Sequence, residues 1–142
     1  MRITTNPGLV ADTVLDALRG IEDLTVYDGW VPDRVPTDAH GYVRPYVALY
    51  AGNATGTDDG GLCGLADVDA VDVRLQTTVV AASAAHLRPV THAVTRALTN
   101  LRIGTNVLHP DVEQHRSTVP QPDPSVSPAR VFLPLQWHIT TQ

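Results

Sequence analysis

Val71-Asp72-Val73-Arg74-Leu75-Gln76-Thr77, running on into Val79-Val80-Ala81, is the stretch on which the fold turns. Its apolar and polar residues alternate with a period of two, the mark of a strand with one face buried and the other wet. The C-terminal end repeats the signal. There Val131, Leu133, Leu135, Trp137 and Ile139 alternate with Phe132, Pro134, Gln136, His138 and Thr140. Pro134 cannot donate to a ladder, which predicts that this closing strand lies at a sheet edge or carries a bulge. Trp137 falls on the apolar face and reads as core.

Outward from these two strands, the N-terminal side opens with Asn6-Pro7, a favoured cap followed by a residue suited to the first helical position. Leu9, Val10, Thr13, Val14, Ala17, Leu18 and Ile21 recur at helical spacing. The spacing predicts a helix over roughly 7–19, stopped by Gly20. Leu24-Thr25-Val26-Tyr27 reads as a short strand closed by the Asp28-Gly29 turn signal. Residues 30–45, with Pro32, Pro36, Gly41 and Pro45, read as a loop, and Tyr46-Val47-Ala48-Leu49-Tyr50 as a second strand. From 51 to 69 the composition shifts to glycines among Asp58, Asp59, Asp67 and Asp69, a long acidic loop of the kind that often carries function.

A second helix presents Leu87, Val90, Val94, Leu98 and Leu101 on one face. Ser83 can cap it, while Pro89 moves the expected start toward Arg88. Asn106-Val107-Leu108 reads as a short strand. Residues 109–130, holding Pro110, Pro120, Pro122, Pro124 and Pro128, read as a second long loop. The order α-β-β-β-α-β-β predicts an α+β fold. It is one domain over 1–142, with a single mixed, mostly antiparallel sheet of four or five strands and two helices on one face.

A chain of 142 residues is long enough to bury its own core without a metal or disulfide staple. All ten basic residues are Arg. A GC-rich coding genome gives that bias, and so does selection for bidentate contacts that Lys cannot make. The net charge of −5 argues against a protein that coats DNA, because such binding works by neutralising phosphates. Residues 1–80 carry twelve acids and five Arg, residues 81–142 three acids and five Arg. A self-associating subunit can set such unlike halves against each other. The single cysteine, Cys63, cannot form an internal disulfide and points to a reducing compartment. The first residues hold no apolar run of a signal peptide and no stretch suits a membrane span, so a soluble protein made in the cytoplasm is expected.

Chemistry is hard to find. The six histidines, His40, His86, His92, His109, His115 and His138, show no zinc-ligand spacing, and Cys63 stands apart from them. Asp67-Val68-Asp69 opens like a calcium loop but lacks its turn glycine and distant glutamate. No nucleophile elbow, phosphate loop or dinucleotide fingerprint is present. Glu22 and Glu113 are the only glutamates and lie far apart. The expectation is a protein without catalytic residues, metal or cofactor. Trp30, in a loop after a turn, is either a contact anchor or tucked against the sheet.

Val26-Tyr27-Asp28-Gly29-Trp30-Val31-Pro32-Asp33, followed by Arg44-Pro45-Tyr46-Val47-Ala48-Leu49-Tyr50, resembles the opening of tail terminator proteins of long-tailed (siphovirus-type) actinobacterial phages. The glycine-rich loop, the strand over 72–80 and the helix carrying Val94-Thr95-Arg96-Ala97-Leu98 continue the likeness in order over nearly the whole chain. Pro89 and the proline-rich 110–128 stretch depart from it. The resemblance implies a non-enzymatic virion protein forming a six-fold ring on the last ring of the tail tube. Such a ring stops polymerisation of the major tail tube protein and meets the head-tail connector, and DNA passes through it without sequence-specific binding. Another head-tail joining protein, a neck or head-completion subunit, is the nearest alternative. A small metal-dependent enzyme using the histidines and a monomeric ligand-binding domain are further ones. On the ring reading, Asp58, Asp59, Asp67 or Asp69 face the central hole or a neighbouring subunit. Converting all four to Asn is then expected to impair assembly and infectivity, and undiminished infectivity of phage carrying the quadruple variant would remove that expectation.

Overall fold

Why the two alternating stretches pair with each other is visible in their register. The computed structural model describes residues 7–52, 55–56 and 71–141. Its elements in chain order are α1 (Pro7–Arg19), β1 (Thr25–Asp28), β2 (Tyr46–Ala51), β3 (Thr55–Gly56), β4 (Val71–Ala81), α2 (Ala84–Leu98), β5 (Arg102–Ile103), β6 (Asn106–Val107), β7 (His109–Pro110), α3 (Val112–Ser117), β8 (Gln121–Pro122) and β9 (Val131–Thr141). β4 and β9 pair antiparallel along their full length, from Val71 opposite Thr141 to Ala81 opposite Val131. That register places Val73, Leu75, Thr77 and Val79 beside Ile139, Trp137, Leu135 and Leu133, so both apolar sets face one way. A slip of one residue would turn the whole set to water.

The fold is α+β, a mostly antiparallel mixed sheet with helices. The strand order is β1-β2-β4-β9-β7, with β3 beside β4 and β8 beside β9, and β5-β6 form a separate small hairpin. β1 and β2 run parallel; the other pairs are antiparallel. Just after β2 the chain lies tight against β4 at Gly52. Gly52 donates its N–H to the Arg74 carbonyl at 2.9 Å, and a Cβ there would meet the same oxygen at 2.9 Å. The two long helices cover one face of the sheet. Val10, Val14, Leu15 and Leu18 of α1 and Leu87, Val94 and Leu98 of α2 join the strands in the main core. Thr77, fully buried, accepts a hydrogen bond from Trp137 Nε1 at 2.9 Å, so the largest core side chain keeps its polar atom satisfied.

The sequence expectations hold for the existence of the long elements and differ at the start of α2, the place of β9 in the sheet and the 109–130 region. α2 starts at Ala84 rather than near Arg88. The Ser83 hydroxyl caps it by accepting from His86 N at 3.3 Å, and buried Leu87 anchors the first turn. Those two contacts outweigh the hydrogen bond that Pro89 removes at the Ala85 carbonyl. Gly20 follows α1 without left-handed geometry; that conformation falls at Asp23 instead, φ 59°. The expected 109–130 loop holds β7, α3 and β8, with Asp111 Oδ1 capping α3 through Gln114 N at 3.2 Å. Within the expected 51–69 loop, Thr55–Gly56 pairs as β3. Asn6, Cys63 and the four acids of that loop lie outside the described residues.

β9 is not an edge strand and carries no bulge opposite β4. Pro134 is accommodated by alternation. Its C=O accepts from Gln114 Nε2 at 2.9 Å, on the side away from β4, so its missing N–H also faces that side. There β7 and β8 leave a gap, since they pair only with residues 137–138 and 131–132. The Gln114 carboxamide fills it like a strand residue, its Oε1 accepting from Gln136 N at 2.9 Å while its Nε2 serves Pro134. Asp111 N completes the row by donating to Gln136 O at 3.0 Å.

Two substitutions test this packing. Thr77→Val strands the Trp137 indole N–H in the core and is expected to cost about 1–3 kcal/mol of stability. Gln114→Ala removes two partners of the β9 backbone and should cost about 1–2 kcal/mol. Urea unfolding followed by Trp fluorescence reads both.

Candidate subunit interface

The two lateral sides of the sheet differ in chemistry. On one side β1 is outermost, and Gly29 N donates to Leu49 O at 2.7 Å. Parallel pairing in that phase turns Thr25, Tyr27 and Gly29 toward β2 and leaves the backbone N–H and C=O of Val26 and Asp28 directed outward. No strand among the described residues pairs with that edge. On the other side, among the described residues, β9 is covered by short pieces: β7, β8 and the Gln114 amide.

The segment after β1 is built to project. Gly29 sits at φ 71°, a left-handed turn that favours glycine. Trp30 next to it is 70% exposed, so it is not tucked against the sheet. Beyond it the chain folds back over the second face of the sheet. Val31, Val35 and Val43 pack there against Tyr27, Tyr46, Val80 and Phe132 in a separate small core. Tyr27 and Tyr46 meet edge to face at 5.5 Å, and burial, with Tyr46 second, raises the Tyr27 pKa. Arg130 Nη1 donates to the Tyr46 hydroxyl at 3.3 Å. Tyr42, 61% exposed, is a second large aromatic on the surface of this segment.

A side-chain bracket holds the tip. Asp38 Oδ1 accepts from His40 N at 2.9 Å and from Tyr42 N at 3.0 Å, while Asp38 N donates to Tyr42 O at 2.8 Å. The Tyr42 N–H bond, helped by that of His40, holds the Asp38 carboxyl below the ordinary aspartate range. Between this tip and the end of α1 lies an open cleft of about 710 Å³. Arg19, Glu22, Asp23, Thr25, Asp38 and Arg44 line much of it, so it borders the start of β1 and offers charges of both signs.

Of the residues singled out in the sequence, Trp30 is surface-exposed beside an open strand edge and Trp137 is core at 1% exposure. Asp58, Asp59, Asp67 and Asp69 lie outside the described residues. Three or more metal-ligating side chains do not gather anywhere among the described residues. His86 and His115 serve the fold: His86 Nδ1 lies 2.8 Å from Ser83 Oγ, and His115 Nε2 lies 2.8 Å from Gln136 O with its ring edge-on to Trp137. The open β1 edge and the Asp38 bracket were missed in the sequence. Asp38-x-His40-x-Tyr42 could have signalled the bracket, because aspartate favours this kind of local turn; no local signal marks an edge. Among the described residues no helix is long and apolar enough to cross a membrane. No protein-family model matches the chain, and no curated protein does.

A depressed folded-state pKa at Asp38 means that its stabilising contribution is complete above the unfolded value and is lost as pH falls through the folded one. The His40 and Tyr42 amides should therefore stay protected from exchange at pH 4 and lose protection only below the ordinary aspartate range. In Asp38→Ala they should exchange quickly throughout, as read by NMR.

Proposed function

We propose that this protein is a structural virion subunit, a tail terminator that closes the head-proximal end of a phage tail tube as a ring of its own copies. The observation that carries this reading is the pair of unequal sheet sides. An open β1 edge flanked by Trp30 on one side, and a side covered by two-residue strands on the other, form unlike surfaces on one subunit. Unlike surfaces that meet between copies make head-to-tail contacts, which close into rings when the rotation allows. Outward N–H and C=O groups supply the pairing potential, and an exposed aromatic supplies an anchor.

Assembled this way, the ring presents one rim to the major tail tube protein and the other to the head-tail connector, and DNA passes through the middle. The uneven distribution of acids and Arg along the chain supports such contacts. Nothing in this role requires a reaction, a metal or a cofactor. The likeness of 26–33 and 44–50 to tail terminators is the second support.

The test is native mass, measured for the purified protein alone and with its tube protein. Wild type is expected to cap tubes as a ring of about six 15.3 kDa chains and to limit their length. Asp28→Pro removes an outward N–H while sparing the bonds to β2, and Trp30→Ser removes the anchor; each should reduce ring formation at least tenfold with the monomer fold retained by circular dichroism. Binding to empty connectors in place of tubes would favour a different head-tail joining protein. A monomer under both conditions would overturn the reading.

A further inference from the structure

The face of the sheet turned away from the helices carries an arrangement distinct from the backbone edges through which the ring is proposed to form. The two-residue pairing of β7 with β9 sets His109 directly opposite His138. Directly opposed residues of an antiparallel pair project from the same face. Their imidazole centroids lie 5.8 Å apart, with the ring planes tilted by 38°. His109 is exposed and His138 half-buried, so solvent reaches the pair. On the far side of His138, Arg74 stands opposite it on β4, but its Nε is drawn toward Asp72 Oδ2 at 3.1 Å.

We propose that His109 and His138 form a two-imidazole chelate for one divalent late transition-metal ion of the zinc, nickel or copper class. Imidazole nitrogen is a ligand that suits these ions. An ion held about 2.0–2.1 Å from a nitrogen of each ring sets two imidazole centroids roughly 4.5–5.5 Å apart for ligand angles from square to trigonal. The observed 5.8 Å is slightly wider than that, a difference that side-chain rotations close to complete the chelate. The backbone needs no adjustment. β9 is fixed by its full-length pairing with β4, and β7 by its own pairing and by the Asp111 N–H bond to Gln136 O. Two ligands already held side by side bind with less ordering cost than two ligands on a mobile loop. Water fills the remaining positions, and the ion ties the outermost strand β7 to β9.

Sequence spacing hides this site, because the two histidines are separated by the whole of α3 and β8. The experiment is calorimetric titration of tag-free protein with zinc chloride, repeated with nickel and copper(II) chlorides. Wild type should bind one ion per chain saturably, and His92→Ala should match it. His109→Ala and His138→Gln should each weaken binding at least tenfold. Metal should raise the melting temperature of wild type and leave that of His109→Ala unchanged. Since His109 is exposed, its removal leaves the core intact and keeps the test valid if the His138 variant misfolds. Absence of saturable binding to wild type, or undiminished binding in His109→Ala, overturns the proposal. A capping-competent protein that binds no metal would overturn this site alone, and a metal-binding monomer would overturn the ring alone.

Discussion

Everything else in the molecule hangs on the in-register pairing of β4 with β9. These two strands join segments some sixty positions apart, Thr77 with Trp137 among them, and they fix which side chains face the helices. Once Val73, Leu75, Thr77 and Val79 lie beside Ile139, Trp137, Leu135 and Leu133, an apolar surface exists for α1 and α2 to cover. The Trp137–Thr77 hydrogen bond adds direction to that packing, because an indole N–H buried without an acceptor is costly. β2 then adds on one side of β4, and β7, β8 and Gln114 close the other side of β9 in fragments.

The sequence made these two strands legible, though not their pairing, because alternation with a period of two has a single physical cause, one wet face and one dry face. Helical spacing at Val10, Val14 and Leu18, and at Leu87, Val94 and Leu98, was legible for the same reason: these side chains are buried in the structure. The misreadings share a different origin. Pro134 argued for an edge because a missing N–H is a local property, while the partner that makes it harmless is the side chain of Gln114, twenty residues away. Pro89 argued for a late helix start because its local cost was visible and the anchoring of Leu87 was not. In the 109–130 region proline density masked elements only two to six residues long, which depend on β9 being there to receive them.

Of the candidate site, less was readable. Trp30 stood out as a loop aromatic, and its exposure follows from the glycine turn before it. The openness of β1 did not stand out, because an edge is defined by what fails to pair with it. The resulting object is a chain with one main core and two unlike sheet sides. A parallel edge strand, an exposed aromatic and a charged cleft sit together on one side. Short, patchwork strands sit on the other, and a copy of the chain is the partner proposed to bring the two together.

Hydrogen exchange at the Val26 and Asp28 amides is the most direct probe of that claim, compared for the protein alone and after it has capped purified tail tubes. The account predicts that both amides exchange freely in the isolated subunit and slow by at least tenfold on capping, while Tyr27, already bonded to β2, changes little. Tube capping that leaves exchange at Val26 and Asp28 unchanged would contradict it.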